Sequence, residues 1–408
     1  MFLHLILDYK SNVYYDAGME IADGVDWFGI VDPQARSFFG REFSTPLGTT
    51  YNSYLIRDKR SLCVAALNST HVTTFTEQLE GFADLEDIDY LVLNQIELND
   101  GAAMRVLRLL MPAARLLVPE GITLPRHPGW EYLELRKGRA LSLGADELTV
   151  VDACGVPWPD SMVMYLPGKR LLLSQSLFSQ HWAGSHRFDD RIDRSRLSNQ
   201  AMRYYVSLLA PAYGDVRKII DTLGSSGIEI EVIAPSNGVI WRRDPAEIVE
   251  SYARWTERQP ERRAVIVYET MLKSTEYMAE AVARGVMGEG VPCSLLRASL
   301  TDRQDLLWEI FRSQAVLLGS PTVHRQAVSA FTPLLKAVKP LALENRIGAV
   351  FGSYGWSGGA GSQLEKLMRE SGISVRGRGV YAAMRPSAAD LDRCQALGRG
   401  LAKKLTAP

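Results

Sequence analysis

From residue 263 onward, short apolar runs alternate with segments of helical period, and this constrains the fold more than any other feature of the chain. The runs are Arg263–Tyr268, Pro292–Leu296, Gln314–Gly319 and Arg346–Phe351. Each is too short for a buried helix and too uniformly apolar for a strand with one wet face. A helical pattern follows the first run from Thr275 to about Val286, and a last helix is expected from Ser387 to about Leu405. Alternating units of this length bury their apolar surface as a doubly wound sheet of about five parallel strands wrapped by helices.

The preceding part of the chain is patterned differently. Strands are expected at Leu3–Asp8, Trp27–Val31, Asn52–Arg57, Leu62–Leu67, Tyr90–Leu93, Arg115–Val118, Glu147–Val151, Met162–Leu166 and Arg170–Ser174. Helices are expected at His71–Leu79, Gly101–Leu110, Ser195–Leu223 and Pro245–Thr256. Paired strands first and interleaved helices later predict an α/β sandwich with two sheets inside. The charged, proline-containing stretch Thr256-Glu-Arg-Gln-Pro-Glu-Arg-Arg263 has no apolar face and reads as a linker. The expected organisation is a first domain over 1–255, a linker over 256–263 and a second domain over 264–408.

Composition removes several function classes. Lys and Arg number 46 against 47 Asp and Glu, so bulk charge draws the chain neither to nucleic acid nor to anionic membrane. The four cysteines, Cys63, Cys154, Cys293 and Cys394, form no CxxC pair, which excludes zinc-knuckle, iron–sulfur and thioredoxin-type motifs. Scattered single cysteines fit a reducing compartment. The start MFLHLILDYKSN lacks signal-peptide features, and no uncharged apolar run is long enough to span a bilayer. The expectation is a soluble, cytoplasmic protein. Six histidines in 408 residues leave little material for a multi-histidine metal centre.

The loops after the apolar runs carry the chemistry. Tyr268-Glu-Thr-Met-Leu-Lys-Ser-Thr275 follows the first run and opens a helix. Thr270, Ser274 and Thr275 place hydroxyls where a helix N-terminus exposes unpaired N–H groups, an arrangement that suits a phosphate or serves only as a cap. Gly319-Ser-Pro-Thr-Val-His324 and Phe351-Gly-Ser-Tyr-Gly-Trp-Ser-Gly-Gly-Ala360 follow the third and fourth runs. They supply small residues for close approach of the backbone, and Tyr354 and Trp356 to cover a planar ring. Three such loops at the carboxyl end of one sheet point to a flavin.

These loops resemble those of flavodoxin, and more specifically the flavodoxin domain of flavodiiron proteins. The matching pieces are Tyr268-Glu-Thr-Met with Ser-Thr-Glu-Tyr-Met-Ala279, Gly319-Ser-Pro-Thr322 and Gly352-Ser-Tyr-Gly-Trp-Ser-Gly358. The resemblance implies FMN. Thr270, Met271, Leu272, Lys273, Ser274 and Thr275 would surround its phosphate. Pro321, Thr322, Val323 and His324 would lie on one side of the ring, with Ser353, Tyr354, Gly355, Trp356, Ser357 and Gly358 on the other. Lys273 stands where the family usually has glycine. It either adds a charge to the phosphate site or strains the loop if that position needs a positive φ.

The resemblance extends to the N-terminal part, which is similar to the metallo-β-lactamase-like domain of flavodiiron proteins, an αββα sandwich. The segments that carry it are Gly48-Thr-Thr-Tyr-Asn-Ser-Tyr-Leu55, Ile88-Asp-Tyr-Leu-Val-Leu-Asn94, Trp158-Pro-Asp-Ser-Met162 and Ile233-Ala-Pro-Ser-Asn-Gly-Val-Ile-Trp-Arg242. In that family the domain holds two irons on histidines and carboxylates and reduces dioxygen or nitric oxide. Here the family's HxExDH segment reads Gln95-Ile-Glu-Leu-Asn-Asp100. Gln95, Asn99 and Asp100 replace ligands and Glu97 is kept. Three later ligand positions hold Pro157, Ser176 and Asn237. Two carboxylates with amides and a hydroxyl are a poor donor set for iron, so no di-iron centre is expected. His181 and His186, followed by Asp189, Asp190 and Asp193, form either a shifted mononuclear site or a polar loop with incidental histidines.

Three functions remain open on the sequence. The first is an FMN-dependent electron-transfer flavoprotein without di-iron, passing electrons to an acceptor at or near a metal-free pocket lined by Gln95, Glu97, Asn99, Asp100, Ser176 and Asn237. The second is a non-catalytic structural or regulatory partner of an active paralogue. The third is an oxygen or nitric oxide reductase with a rebuilt site. The family assembles head to tail, so the resemblance implies a homodimer or higher oligomer. The sequence shows no appended rubredoxin or flavin-reductase domain, which implies a separate redox partner protein.

Overall fold

The computed structural model describes residues 6–7, 14–15, 18–39, 42–67, 71–94, 101–123, 126–152 and 155–406. The chain divides into two compact units, Met1–Thr256 and Glu257–Pro408.

In the first unit, two sheets lie within layers of helix. The larger runs in the order Ile6–Leu7, Tyr14–Tyr15, Val25–Asp32, Thr49–Ile56, Leu62–Ala65, Tyr90–Leu93, Arg115–Pro119 and Glu131–Leu135, with Met19–Ala22 paired to Val25–Asp32. The smaller runs Ala140–Ser142, Glu147–Asp152, Val163–Leu166, Leu171–Gln175 and Val232–Pro235. Successive side chains on a strand face opposite ways, and the sequence uses both faces. Trp27, Tyr54, Val64, Val92 and Leu117 share a core with Leu148, Met164 and Leu173 of the smaller sheet. Their neighbours Phe28, Leu55, Cys63, Leu91 and Leu116 pack instead against Phe75, Leu79, Met104 and Leu107 of the helices Val72–Glu80 and Gly101–Leu110. This is the αββα sandwich.

Several elements differ from expectation. Of the strand foreseen at Leu3–Asp8, only Ile6–Leu7 lies within the described residues. The helix foreseen over Ser195–Leu223 is broken. Arg194–Tyr204 is α-helical, Tyr205–Leu209 winds wider, Ala210–Ala212 winds tighter, and Tyr213–Ser225 resumes. Pro211 has no N–H for an interior hydrogen bond, and its ring crowds the preceding turn. Strands Glu131–Leu135, Ala140–Ser142 and Val232–Pro235 were not foreseen.

In the second unit the parallel sheet runs Cys293–Arg297, Glu261–Tyr268, Ser313–Gly319 and Ile347–Tyr354. The last strand is split into Ser374–Val375 and Val380–Ala383, both parallel to Ile347–Tyr354. The chain order across the sheet is thus 2-1-3-4-5, of which flavodoxin itself is a standard example. Ala264, Ile266, Leu317, Ala349 and Phe351 pack under the helices Ser274–Met287 and Ala388–Thr406. Val265, Val267, Val316 and Leu318, which alternate with them, are buried as well, so both faces are covered. That is why the runs read as continuously apolar.

The stretch foreseen as a linker over 256–263 is mostly taken up by its neighbours. The helix Pro245–Thr256 ends in it, and the strand Glu261–Tyr268 begins in it. Its charges are used in ion pairs: Arg263 with Glu309 at 3.0 Å, and Glu261 with Arg312 at 2.7 Å.

Candidate functional site

At the carboxyl end of the second unit's sheet, strands 1 and 3 send the chain to opposite faces and leave a crevice between them. A cavity of about 810 Å³ opens there.

Its first wall is the loop after Glu261–Tyr268. Glu269 anchors the base. Its carboxylate accepts from Thr270 N at 2.9 Å, Ser299 N at 2.9 Å and Arg297 Nε at 2.8 Å. Burial alone would raise the Glu269 pKa, but the donors from Ser299, Thr270 and Arg297 together outweigh it and hold the carboxylate ionised. Above this base the Thr270 hydroxyl is buried with no hydrogen-bond partner. Met271 and Leu272 point outward, 66% and 87% exposed. Lys273 sits at φ 65°, ψ −6°, in the left-handed region. The helix Ser274–Met287 starts directly after it, with no side-chain cap.

The second wall is a short hairpin, Thr322–Val323 paired with Gln326–Ala327. Its tip is His324-Arg325, with φ of 50° and 62°. Two consecutive left-handed residues make the tight turn that suits a hairpin, a place usually given to Asn or Gly. Ser320 fixes the hairpin's root, its hydroxyl accepting from Val328 N at 3.1 Å and donating to Pro321 O at 2.8 Å.

The third wall follows Ile347–Tyr354. Gly352 is required at its base, since a Cβ there would stand 2.1 Å from Ser320 O. Trp356 is 99% exposed.

The three loops therefore bring most of the foreseen residues to one cavity. Thr270, Met271, Leu272, Lys273, Ser274, Pro321, Thr322, Val323, His324, Ser353, Tyr354, Gly355, Trp356 and Ser357 all line it. Two do not. Thr275 is fully buried, its hydroxyl 2.9 Å from that of Ser353, so it ties the first loop to the third. Gly358 is not among the lining residues. Tyr277, Arg325, Met384 and Arg385 also line the cavity and were not foreseen. Tyr277 lies one helical turn past Lys273, a spacing the sequence did offer. Met384 and Arg385 follow a strand that had not been recognised. Lys273, His324, Arg325 and Arg385 give the lining basic groups, and no Asp or Glu lines it.

In the first unit, Gln95, Glu97, Asn99 and Asp100 lie outside the described residues. The other three foreseen positions are described. Pro157 follows a cis peptide bond and offers no donor side chain. Ser176 is buried and shares a hydrogen bond with Tyr204, whose pKa burial pushes up to about 12. Asn237 is buried, and its Nδ2 donates to Thr50 O at 2.5 Å. His181 is buried between Phe38 and Tyr204, with ring centroids 4.8 and 4.9 Å away. Its Nδ1 is 2.9 Å from Thr49 Oγ1, and burial lowers its pKa to about 3. Asp189 accepts from Arg242 N, Asp190 pairs with Arg242, and Asp193 caps the helix Arg194–Tyr204. Among the described residues, no group of three or more His, Cys, Asp or Glu side chains converges as a metal site would.

Comparison with known proteins covers both units. Residues 266–398 match the flavodoxin family model. A Moorella thermoacetica protein named nitric oxide reductase is 38% identical over 391 residues, which covers 94% of this chain and 98% of that one. The anaerobic nitric oxide reductase flavorubredoxin of Aliivibrio salmonicida is 31% identical over 394 residues, 95% of this chain and 79% of that one. Rubredoxin oxygen:oxidoreductase from Desulfovibrio gigas superposes with a TM-score of 0.89 at 28% identity, covering 95% and 98% of the two chains. Sequence likeness along nearly the whole chain, carried by the same pair of folded units in the same order, makes this protein a member of the flavodiiron protein family.

Proposed function

We propose that the second unit binds FMN and that the protein is an electron-transfer flavoprotein of flavodiiron descent without a di-iron centre. The observation that carries the reading is the cavity at the switch point of the sheet. It combines a buried hydroxyl lacking a partner, an uncapped helix start, basic groups and the aromatics Tyr277, Tyr354 and Trp356.

The residues fit the group. An unpaired buried hydroxyl is costly unless a ligand completes it, and Thr270 sits where a phosphate would. The cavity volume of about 810 Å³ lies in the ordinary range for a cofactor site. Ser274 and Thr270 would hold the phosphate together with the helix start. Tyr354 and Trp356 would cover the ring and exclude water from it. Arg325 places positive charge at the opposite wall, where it would stabilise an electron-rich ring. When bound, FMN supplies the capacity to accept and return electrons singly or in pairs.

The di-iron pair does not fit the described ligand positions. Pro157 has no donor, the Ser176 hydroxyl is engaged with Tyr204, and the Asn237 amide nitrogen is engaged with Thr50. For Gln95, Glu97, Asn99 and Asp100 the case rests on residue type. Electrons would enter from a separate redox protein and leave at an acceptor in or near the metal-free pocket. A homodimer or higher homo-oligomer is part of the reading. The exposed Leu272 and Trp356 at the mouth of the cavity support an apolar partner surface.

A second reading keeps the family's usual chemistry. Relatives at 38% and 31% identity are named nitric oxide reductases, which favours a reductase with a rebuilt metal site. One preparation separates the two, through its visible spectrum and its metal content. The expected result is flavin absorption with iron well below one per chain. Two irons per chain would transfer the protein to the reductase reading. A colourless protein that takes up no FMN would sink the flavin reading.

A further inference from the structure

Lys273 combines three properties. It is a non-glycine residue in the left-handed region, at φ 65°, directly before a helix. It lines the cavity, three positions from the unpartnered Thr270 hydroxyl. Among the described residues its ammonium has neither an acidic partner nor a hydrogen bond. A lysine in this conformation is disfavoured by contact of its Cβ with the following peptide, and glycine would be free of that contact. Among the described residues no hydrogen bond or ion pair of its side chain offsets the strain. Strain held at the edge of a ligand cavity calls for an explanation in what the cavity binds.

We propose that Lys273 is the residue by which this chain selects a phosphorylated flavin over an unphosphorylated one, an inference that rests on the FMN reading above. The phosphate carries about two negative charges near neutral pH. An uncapped helix start offers partial positive charge, and the Thr270 hydroxyl offers one donor. Lys273 adds a full positive charge from the same loop, and a charge-assisted hydrogen bond is about twice as strong as a neutral one. The side chain acts on the phosphate end and has no role at the ring, so its removal discriminates between FMN and riboflavin.

The test titrates the full-length apoprotein with FMN and with riboflavin, following flavin fluorescence at low and high salt. Lys273→Met removes the charge and keeps the strain, and Lys273→Arg keeps both. Lys273→Gly removes both. The expected result for K273M is roughly tenfold weaker FMN binding with reduced salt dependence and unchanged riboflavin binding. K273R should stay near wild type. K273G should lose FMN affinity as K273M does while melting no lower than wild type. Wild-type affinity for FMN in K273M, or an equal loss for both flavins, would overturn the proposal. Tighter FMN binding in K273G would overturn it as well, by making the lysine only a strain on the loop. A wild-type chain that binds neither flavin would remove the FMN reading itself, and this inference with it.

Discussion

The cavity of the second unit and the described positions Ser176 and Asn237 of the first differ in how their polar groups are used. At the cavity of the second unit, polar groups are left open: the Thr270 hydroxyl lacks a partner, Lys273 lacks a counter-charge, and the helix after it lacks a cap. At the described ligand positions of the first unit, polar side chains are turned toward the protein. Ser176 bonds to Tyr204, and the Asn237 amide bonds to Thr50. A buried donor without a partner costs the free protein stability, whereas an internal pair recovers part of that cost. This contrast teaches more than residue identity, because it concerns what each group does now.

The largest effect that bears on the contrast is the pH response of His181. Burial keeps its imidazole neutral in the folded chain, with a pKa near 3. Below about pH 6.5 the unfolded chain takes up the proton first. Stability is therefore full above that pH and falls on acidification toward pH 3, by about 1.4 kcal/mol per pH unit from this group. Urea unfolding of wild type and His181→Asn across pH 7 to 4 should give a steeper decline for wild type. Parallel profiles would mean that the imidazole is already charged or solvated in the folded chain.

A middle-sized effect is expected at Asn237. Asn237→Leu deletes the pairing with Thr50 O in a buried setting. It should destabilise the chain by about 1–3 kcal/mol with no change in FMN affinity. An unchanged unfolding midpoint would show that the pair contributes nothing.

The smallest effect has the opposite sign. Thr270→Val keeps the shape and removes a buried hydroxyl that has no partner. The free protein should gain about 1 kcal/mol, because an unmet desolvation cost disappears, and should bind FMN less tightly. Loss of stability in the apoprotein would place Thr270 with the internally paired groups, and the comparison between the two sites would fail.

Much of the second unit was legible because a buried parallel strand is apolar on both faces and announces itself over a few residues, as Val265–Val267 and Val316–Leu318 do. The fifth strand was not legible. Split into Ser374–Val375 and Val380–Ala383, it offers two short pieces, with Tyr381 exposed between buried neighbours. Met384 and Arg385 were therefore absent from the expected site although they line its cavity. In the first unit the long helix was read through Pro211, because the apolar period continues on both sides while the backbone cannot.

The sequence by itself determined the order of elements and the three loops at one end of a parallel sheet. Periodicity and residue chemistry are local and survive without coordinates. Only the tertiary structure decided which hydroxyl of the first loop faces the cavity. Thr270 and Thr275 look equivalent on paper, yet Thr270 is left open and Thr275 is closed by Ser353, a residue 78 positions away. It also decided that Lys273 takes a left-handed backbone. Both outcomes depend on where a neighbouring strand brings its own side chains, and no local pattern encodes that contact.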